Sequence, residues 1–113
     1  MKKEFNSKVW SDADDLAEYY WAVQIEADSK VHPELQNDDN KLKIVLAKWT
    51  KEFYKLLNKE QPPISEVEKV IRFVQYGKYF TPAKYSAGYL CSKYVKIREV
   101  MECIEAQPYV PEF

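Results

Sequence analysis

Between Arg72 and Arg98 the chain sets rings and cations close together: Tyr76, Lys78, Tyr79, Phe80, Lys84, Tyr85 and Tyr89, then Lys93 and Lys96. Gly77 and Pro82 already supply what a turn requires, so the rings exceed what chain reversal demands. Rings beside cations suit contact with a partner, nucleic acid or protein. On a nucleic acid the rings would stack on unpaired bases and the cations would track phosphates. The candidate contact set is therefore Arg72, Tyr76, Lys78, Tyr79, Lys84, Tyr85, Tyr89, Lys93, Lys96 and Arg98. A packing role competes for the rings. Phe80 and Tyr85 together read as a plug between two helices, with the plug favoured for Phe80, and Tyr79 and Tyr89 fit packing and stacking equally well.

The groups that catalysis needs are not gathered. His32 is the only histidine. It stands beside Pro33 in a polar stretch and reads as a surface residue, so a histidine-paired nucleophile has little to rest on. No Cys/His spacing fits zinc, and two glycines leave no phosphate-cradling loop. Asp38, Asp39 and Asn40 lack the ligand spacing and closing Glu of a calcium loop. Asp12, Asp14 and Asp15 fit the start of a helix, where the backbone dipole favours negative charge. The expectation is a protein that is not an enzyme, with no metal and no cofactor. Cys91 and Cys103, read as lying on one helix, are separated by about 18 Å of rise, too far for a mutual disulfide. Two reduced, mostly buried thiols are expected.

A chain of 113 residues with 46% hydrophobic content is long and apolar enough for one packed domain. Net charge is −1, but residues 41–98 hold 13 basic and 4 acidic side chains, while 1–40 hold 4 basic and 10 acidic. Residues 99–113 add 4 acidic and no basic ones. A basic middle of this kind either meets an anionic partner or is neutralised by the acidic ends folding against it. No apolar run approaches the roughly 20 residues of a membrane span, and MKKEFNSKVW carries no apolar signal core. Neither a membrane partner nor export is expected, and a cytoplasmic location follows.

The elements that must position these groups are helices. Few glycines and long apolar runs at period 3.6 predict an all-α fold: a compact single domain of four main helices, with an N-terminal arm (1–10) and an extended tail (107–113). The first helix is expected from a Ser11 cap, with Asp14 in capping-box position, to about Asp28. Leu16, Tyr20, Val23 and Ala27 form one stripe and Ala13, Ala17, Trp21 and Ile25 a second, so this helix is central or also meets a partner. Residues 29–40 are expected as the longest and most flexible loop. A second helix over about 41–58 turns Leu42, Val45, Leu46, Trp49, Phe53, Leu56 and Leu57 inward. Lys41, Lys48, Lys51, Lys55 and Lys59 gather opposite, as a solvated face or as a phosphate-tracking stripe; the lack of arginine there weighs against the stripe.

A third helix is expected from a Ser65/Glu68 capping box to about Tyr76, with Val67, Val70, Ile71 and Val74 inward. Its Phe73 lies off the core stripe, free for an external contact or for packing on the first helix. The fourth, capped by Ser86, is expected to be the longest, reaching Ala106 with Leu90, Tyr94, Ile97, Met101 and Ile104 on one side. Its charges run basic (Lys93, Lys96, Arg98) then acidic (Glu99, Glu102, Glu105), against the dipole preference, so a neighbour or partner must set them.

From Trp49 to Met101 the chain resembles the C-terminal helical domain of phage and mobile-element replication proteins, the replisome organisers and DnaD-like primosome components. The resemblance runs through Trp49, Phe53-Tyr54 and Leu56-Leu57, then Ile64, Val67, Val70, Ile71 and Phe73. Tyr79-Phe80 stands where such domains carry a Phe-Trp pair, and Ser86, Leu90, Tyr94 and Lys96-Ile97 follow the pattern of their final helix. Leu16-Ala17 and Ile25 fit their leading helix. The winged-helix domain that usually precedes such a module is not in this sequence, and QPYVPEF has no counterpart. The resemblance implies a non-enzymatic DNA-replication accessory module that binds single-stranded DNA, a replicative helicase or the helicase loader. A different class competes: a protein-protein interaction or inhibitor module that acts on a host protein through the acidic first helix and the apolar tail.

Overall fold

Helix α1 is where the apolar surface is widest, and the next two long helices pack against it. The computed structural model describes residues 5–106, and among these the regular structure is α-helix and one 3-10 turn, with no strand. Helix α1 (Ser7–Ala27) packs against α3 (Asp39–Glu60) and α4 (Ile64–Tyr76). Ala13 and Ala17 are fully buried beside Leu16, Tyr20 and Val23. The two alanines let the neighbouring backbones come close, and the larger residues fill the space on either side. The apolar face of α3 contributes Trp49, Phe53, Leu56 and Leu57, and α4 contributes Val67, Val70, Ile71 and Val74. Each fully buried aliphatic or aromatic side chain stabilises the fold by about 1.5–3 kcal/mol before entropy is counted.

Helix α1 starts four residues before its expected Ser11 cap. Asn6 is the cap, its Oδ1 accepting from the Val9 N–H at 3.1 Å. Much of the expected arm is therefore helix. Phe5, Trp10 and Tyr54 of α3 group their rings with centroids 5.3–5.6 Å apart, and the Asn6 N–H donates to the Tyr54 hydroxyl at 3.1 Å. Asp14 belongs to no capping box; its carboxylate accepts from the Thr50 hydroxyl across the α1–α3 contact at 3.3 Å.

The expected flexible loop is instead docked. Val31 and Leu35 are buried, and a short helix α2 (Pro33–Gln36) follows His32. Gln36 donates to the carbonyls of Ser29 (3.0 Å) and Val31 (2.6 Å), closing the loop on itself. His32 is not the surface residue expected. Its side chain is only 24% exposed, and its ring meets Trp21, Trp49 and Tyr85 at 6.0–6.5 Å. Asp38 is not idle loop either: it caps α3 by accepting from the Asn40 and Lys41 N–H groups.

Pro63 precedes α4 and leaves Ser65 inside the helix, so the Ser65/Glu68 box does not form. Pro63 is itself the N-cap residue, in extended conformation, and the helix starts without a side-chain cap hydrogen bond. After α4 come a 3-10 turn (Thr81–Lys84), α5 (Ala87–Ser92) and α6 (Tyr94–Ala106). The single long final helix is thus broken at Lys93. Ser92 turns its hydroxyl back onto the Tyr89 carbonyl at 3.0 Å, a local bond that bends helices. The bend lets α5 pack on α3 while α6 follows α4. Cys91 and Cys103, both free thiols, therefore do not share one helix. Cys91 is half-buried with its thiol pushed above the ordinary range by desolvation and the nearby Glu52. Cys103 is exposed, against expectation, and so is Ile104. No helix among the described residues is long and apolar enough to cross a membrane. The QPYVPEF tail and residues 1–4 lie outside the described residues.

Candidate nucleic-acid interface at the α4–α5 joint

The joint is built from inside the protein. A Cβ at Gly77 would collide with the Phe73 carbonyl oxygen, so the exit from α4 requires glycine. Phe80 then adopts the left-handed conformation (φ 58°), which a bulky residue holds only when its surroundings compensate. Here its half-buried ring packs against the core. Ala83 is fully buried, and its carbonyl accepts from the Tyr20 hydroxyl of α1 at 2.6 Å. Gln75 donates to the Lys84 carbonyl at 2.8 Å. Two interior side chains thereby satisfy backbone carbonyls of the turn and fix its course. Burial, with a smaller contribution from Cys91, pushes the Tyr20 phenol far above its ordinary range, so it stays a donor.

On this frame the sequence-derived set divides in three. Arg72 and Tyr76 are engaged within the protein. Arg72 Nη1 donates to Glu26 at 2.8 Å, its Nε donates to the Tyr19 hydroxyl at 2.7 Å, and the guanidinium lies 5.6 Å from the Tyr19 ring centroid. The Tyr76 hydroxyl donates to the same Glu26 carboxylate. Hydrogen bonds from Tyr76 and then Arg72 hold the Glu26 carboxyl below the usual carboxylate range, and the same contacts raise Tyr76 and Arg72. Arg98 is engaged more loosely, its Nε 3.6 Å from Glu66 of α4 and 3.8 Å from Glu102 of its own helix, ion pairs beyond hydrogen-bond distance. The contact with Glu66 also gives a neighbour's reason for one of the basic positions on this helix. Burial, with Glu66 next, raises the Tyr94 phenol on the same side.

Tyr79, Tyr85, Lys78 and Lys84 form the second group, at the joint itself. Tyr79 is 53% exposed and lies nearly parallel to Phe73, 12° between planes at 6.2 Å. Tyr85 is 50% exposed and meets His32 edge-on at 6.0 Å. Each ring thus rests against a second ring and retains about half of its surface. Lys78 is exposed and Lys84 half-buried. Tyr85 is therefore no plug; Phe80 is the ring packed inward, as the sequence favoured.

Tyr89, Lys93 and Lys96 form the third group. Tyr89 is half-buried against the core, with its N–H donating to the Ser86 cap at 3.1 Å. Lys93 at the α5–α6 bend and Lys96 on α6 are both exposed. The interior supports Tyr20 and Gln75, and the pairing partners Tyr19 and Glu26, lay outside the sequence-derived set. A signal for the partners existed: Tyr19 and Glu26 are seven residues apart, and Arg72 and Tyr76 four, so each pair shares one helical face. Compared with protein-family models, curated proteins and solved structures, the chain gives no match.

Proposed function

We propose that this protein is a non-enzymatic nucleic-acid-binding module, of the kind that accompanies DNA replication in phages and mobile elements, and that single-stranded DNA binds at the α4–α5 joint. One observation carries the reading. Tyr79 and Tyr85 are each about half exposed, at a joint whose turn is pinned from within by Tyr20 and Gln75. Such rings are placed before a ligand arrives, which lowers the ordering entropy of binding. Unpaired bases present the faces they would stack on, and Lys78 and Lys84 would meet the adjoining phosphates. The sequence resemblance to replication proteins supports the biological setting. Arg72, Tyr76 and Arg98 hold helices together and are not part of the proposed contact.

The test is fluorescence anisotropy with labelled single-stranded and duplex oligonucleotides, comparing the wild-type protein with Tyr79→Ala/Tyr85→Ala. A stacked base contributes roughly 1–3 kcal/mol, so the double variant should lose at least about tenfold in single-strand affinity. Duplex affinity should barely move. Unchanged single-strand affinity would refute the stacking role. Wild-type protein that captures a helicase or its loader while ignoring DNA would replace this ligand by a protein one.

A further inference from the structure

The joint is not the most basic surface of the molecule. Lys41, Lys48, Lys51, Lys55 and Lys59 all project from one narrow face of α3, and all five are exposed. From first to last they span about 27 Å of helix. Among the described residues the one ion pair they make is Lys55 with Glu52, at 3.9 Å within the same helix. The acidic helix α1 does not neutralise them, although it packs directly on α3. Its Asp14 bonds to Thr50, its Asp12 to Lys8, and its Glu26 to Arg72. Of the two readings of the charge asymmetry, cover by the acidic ends holds across helices at Arg72, which meets Glu26, and among the described residues does not hold on α3.

We propose that the lysine face of α3 is a second nucleic-acid-binding surface, one that tracks the sugar-phosphate backbone without regard to base or strand number. It goes beyond the proposed stacking site and stands or falls separately from it. The chemistry selects the partner. Without arginine the face forgoes a two-point grip on any single phosphate; its five point charges in line act together on a regular array of anions instead. Lys48, Lys51, Lys55 and Lys59 follow one another at rises of about 4.5–6 Å. A stripe of this length can run beside about eight nucleotides at the roughly 3.4 Å axial spacing of phosphates on a duplex strand.

Two other anionic partners fit less well. A membrane-surface helix needs a broad apolar face toward the lipid, but the apolar face of α3 is buried in the core, and Ile44 alone is a large exposed apolar residue on the lysine side. An acidic protein partner would use a central aromatic or arginine anchor, and this face has neither. The cleft at its end, between α3 and the α5–α6 bend, sets Glu52 and Glu60 against Lys55 and Lys59. That near balance of charge leaves the open helix face, and not the cleft, as the anion-attracting feature.

The experiment compares wild-type protein, Lys48→Gln/Lys51→Gln/Lys59→Gln and Tyr79→Ala/Tyr85→Ala on single-stranded and duplex DNA, at about 50 and about 200 mM salt, where phosphate contacts register. Far-UV circular dichroism and a thermal melt confirm that both variants fold. The lysine variant should bind both DNAs at least about tenfold more weakly at the lower salt. Loss of three phosphate contacts should also shrink the salt-induced drop in single-strand affinity by roughly 20-fold. Duplex binding lost with the lysines and kept with the tyrosine variant would support the α3 face whatever becomes of the joint. Equal affinity and equal salt dependence for the lysine variant and wild type would overturn it. So would wild-type binding to polyglutamate or to phosphatidylserine-rich vesicles as tight as to DNA.

Discussion

On the outer face of α4, Arg72 reaches across to Glu26 and Tyr19 of α1. On the outer face of α3, a line of lysines reaches no other helix among the described residues. The chain has two arginines, and both bridge helices: Arg72 joins α4 to α1, and Arg98 joins α6 to α4. Among the described residues the lysine ion pairs stay within single helices, Lys8 with Asp12 and Lys55 with Glu52. The difference follows from side-chain chemistry. A planar guanidinium can bond two acceptors in fixed directions and lie over a ring at the same time, which suits it to fastening two elements. A hydrated ammonium on a flexible stem gains little from one exposed pair. In the folded protein both arginines join helices, and among the described residues the exposed lysines of α3 do not.

The hardest test of the comparison lies in what both faces share. Helix α1 packs on α3 and α4 and pins the joint through Tyr20. Tyr20 also sits edge-on to Trp49 at 5.0 Å and Phe53 at 5.9 Å. Tyr20→Ala should lower stability by about 3–5 kcal/mol, read from a urea melt. Tyr20→Phe, which keeps the ring and loses the bond to Ala83, should cost about 1–3 kcal/mol. If the phenylalanine variant melts as the wild type does, the joint is held by packing alone. The lysine replacements on α3 come next and should weaken DNA binding while leaving the melting temperature where it was. A large loss of stability there would erase the distinction between the faces.

Arg98→Ala should do the opposite. It removes the bridge to Glu66 and Glu102 and should cost about 1 kcal/mol, with DNA affinity changed far less than by the lysine replacements. A binding defect as large as theirs would return Arg98 to the contact set.

The smallest effect is a pH dependence at Glu26. Its carboxyl is held below the usual range in the folded protein, so its contribution is present above the unfolded carboxyl value of about 4.3. That contribution is lost as pH falls through the lower folded value. Glu26→Gln should melt no more than about 3 °C below wild type near neutral pH. The two should converge on acidification. A gap that persists in acid would mean that Glu26 acts through its shape and not its charge.

Much of the architecture was legible because burial has a period. Val67, Val70, Ile71 and Val74 are spaced to meet a neighbour, and all four are fully buried. The Ser86 cap works as read, since the hydroxyl and the amide it serves are three residues apart. Other starts were misread for local reasons. Asn6, not Ser11, caps α1 because the apolar stripe extends back through Val9. At α4, Pro63 took the place assigned to Ser65. The candidate site was legible only in composition. Its rings and cations could be named, but which of them remained outward could not.

The sequence by itself determined the all-α class, the inward stripe of α4 and most of those on the other long helices, the turn at Gly77 to Pro82, and the lysine face of α3. All of these depend on residues within a few positions of one another. Tertiary structure alone decided that Arg72, Tyr76 and Arg98 were engaged, that His32 lay among Trp21, Trp49 and Tyr85, and that Tyr79 and Tyr85 stayed half open. The bond between Glu26 and Arg72 joins residues 46 apart in the chain, and that between Tyr20 and Ala83 joins residues 63 apart. No periodicity reaches that far. Whether a cation is a fastener or a free contact is set by the helix that packs beside it.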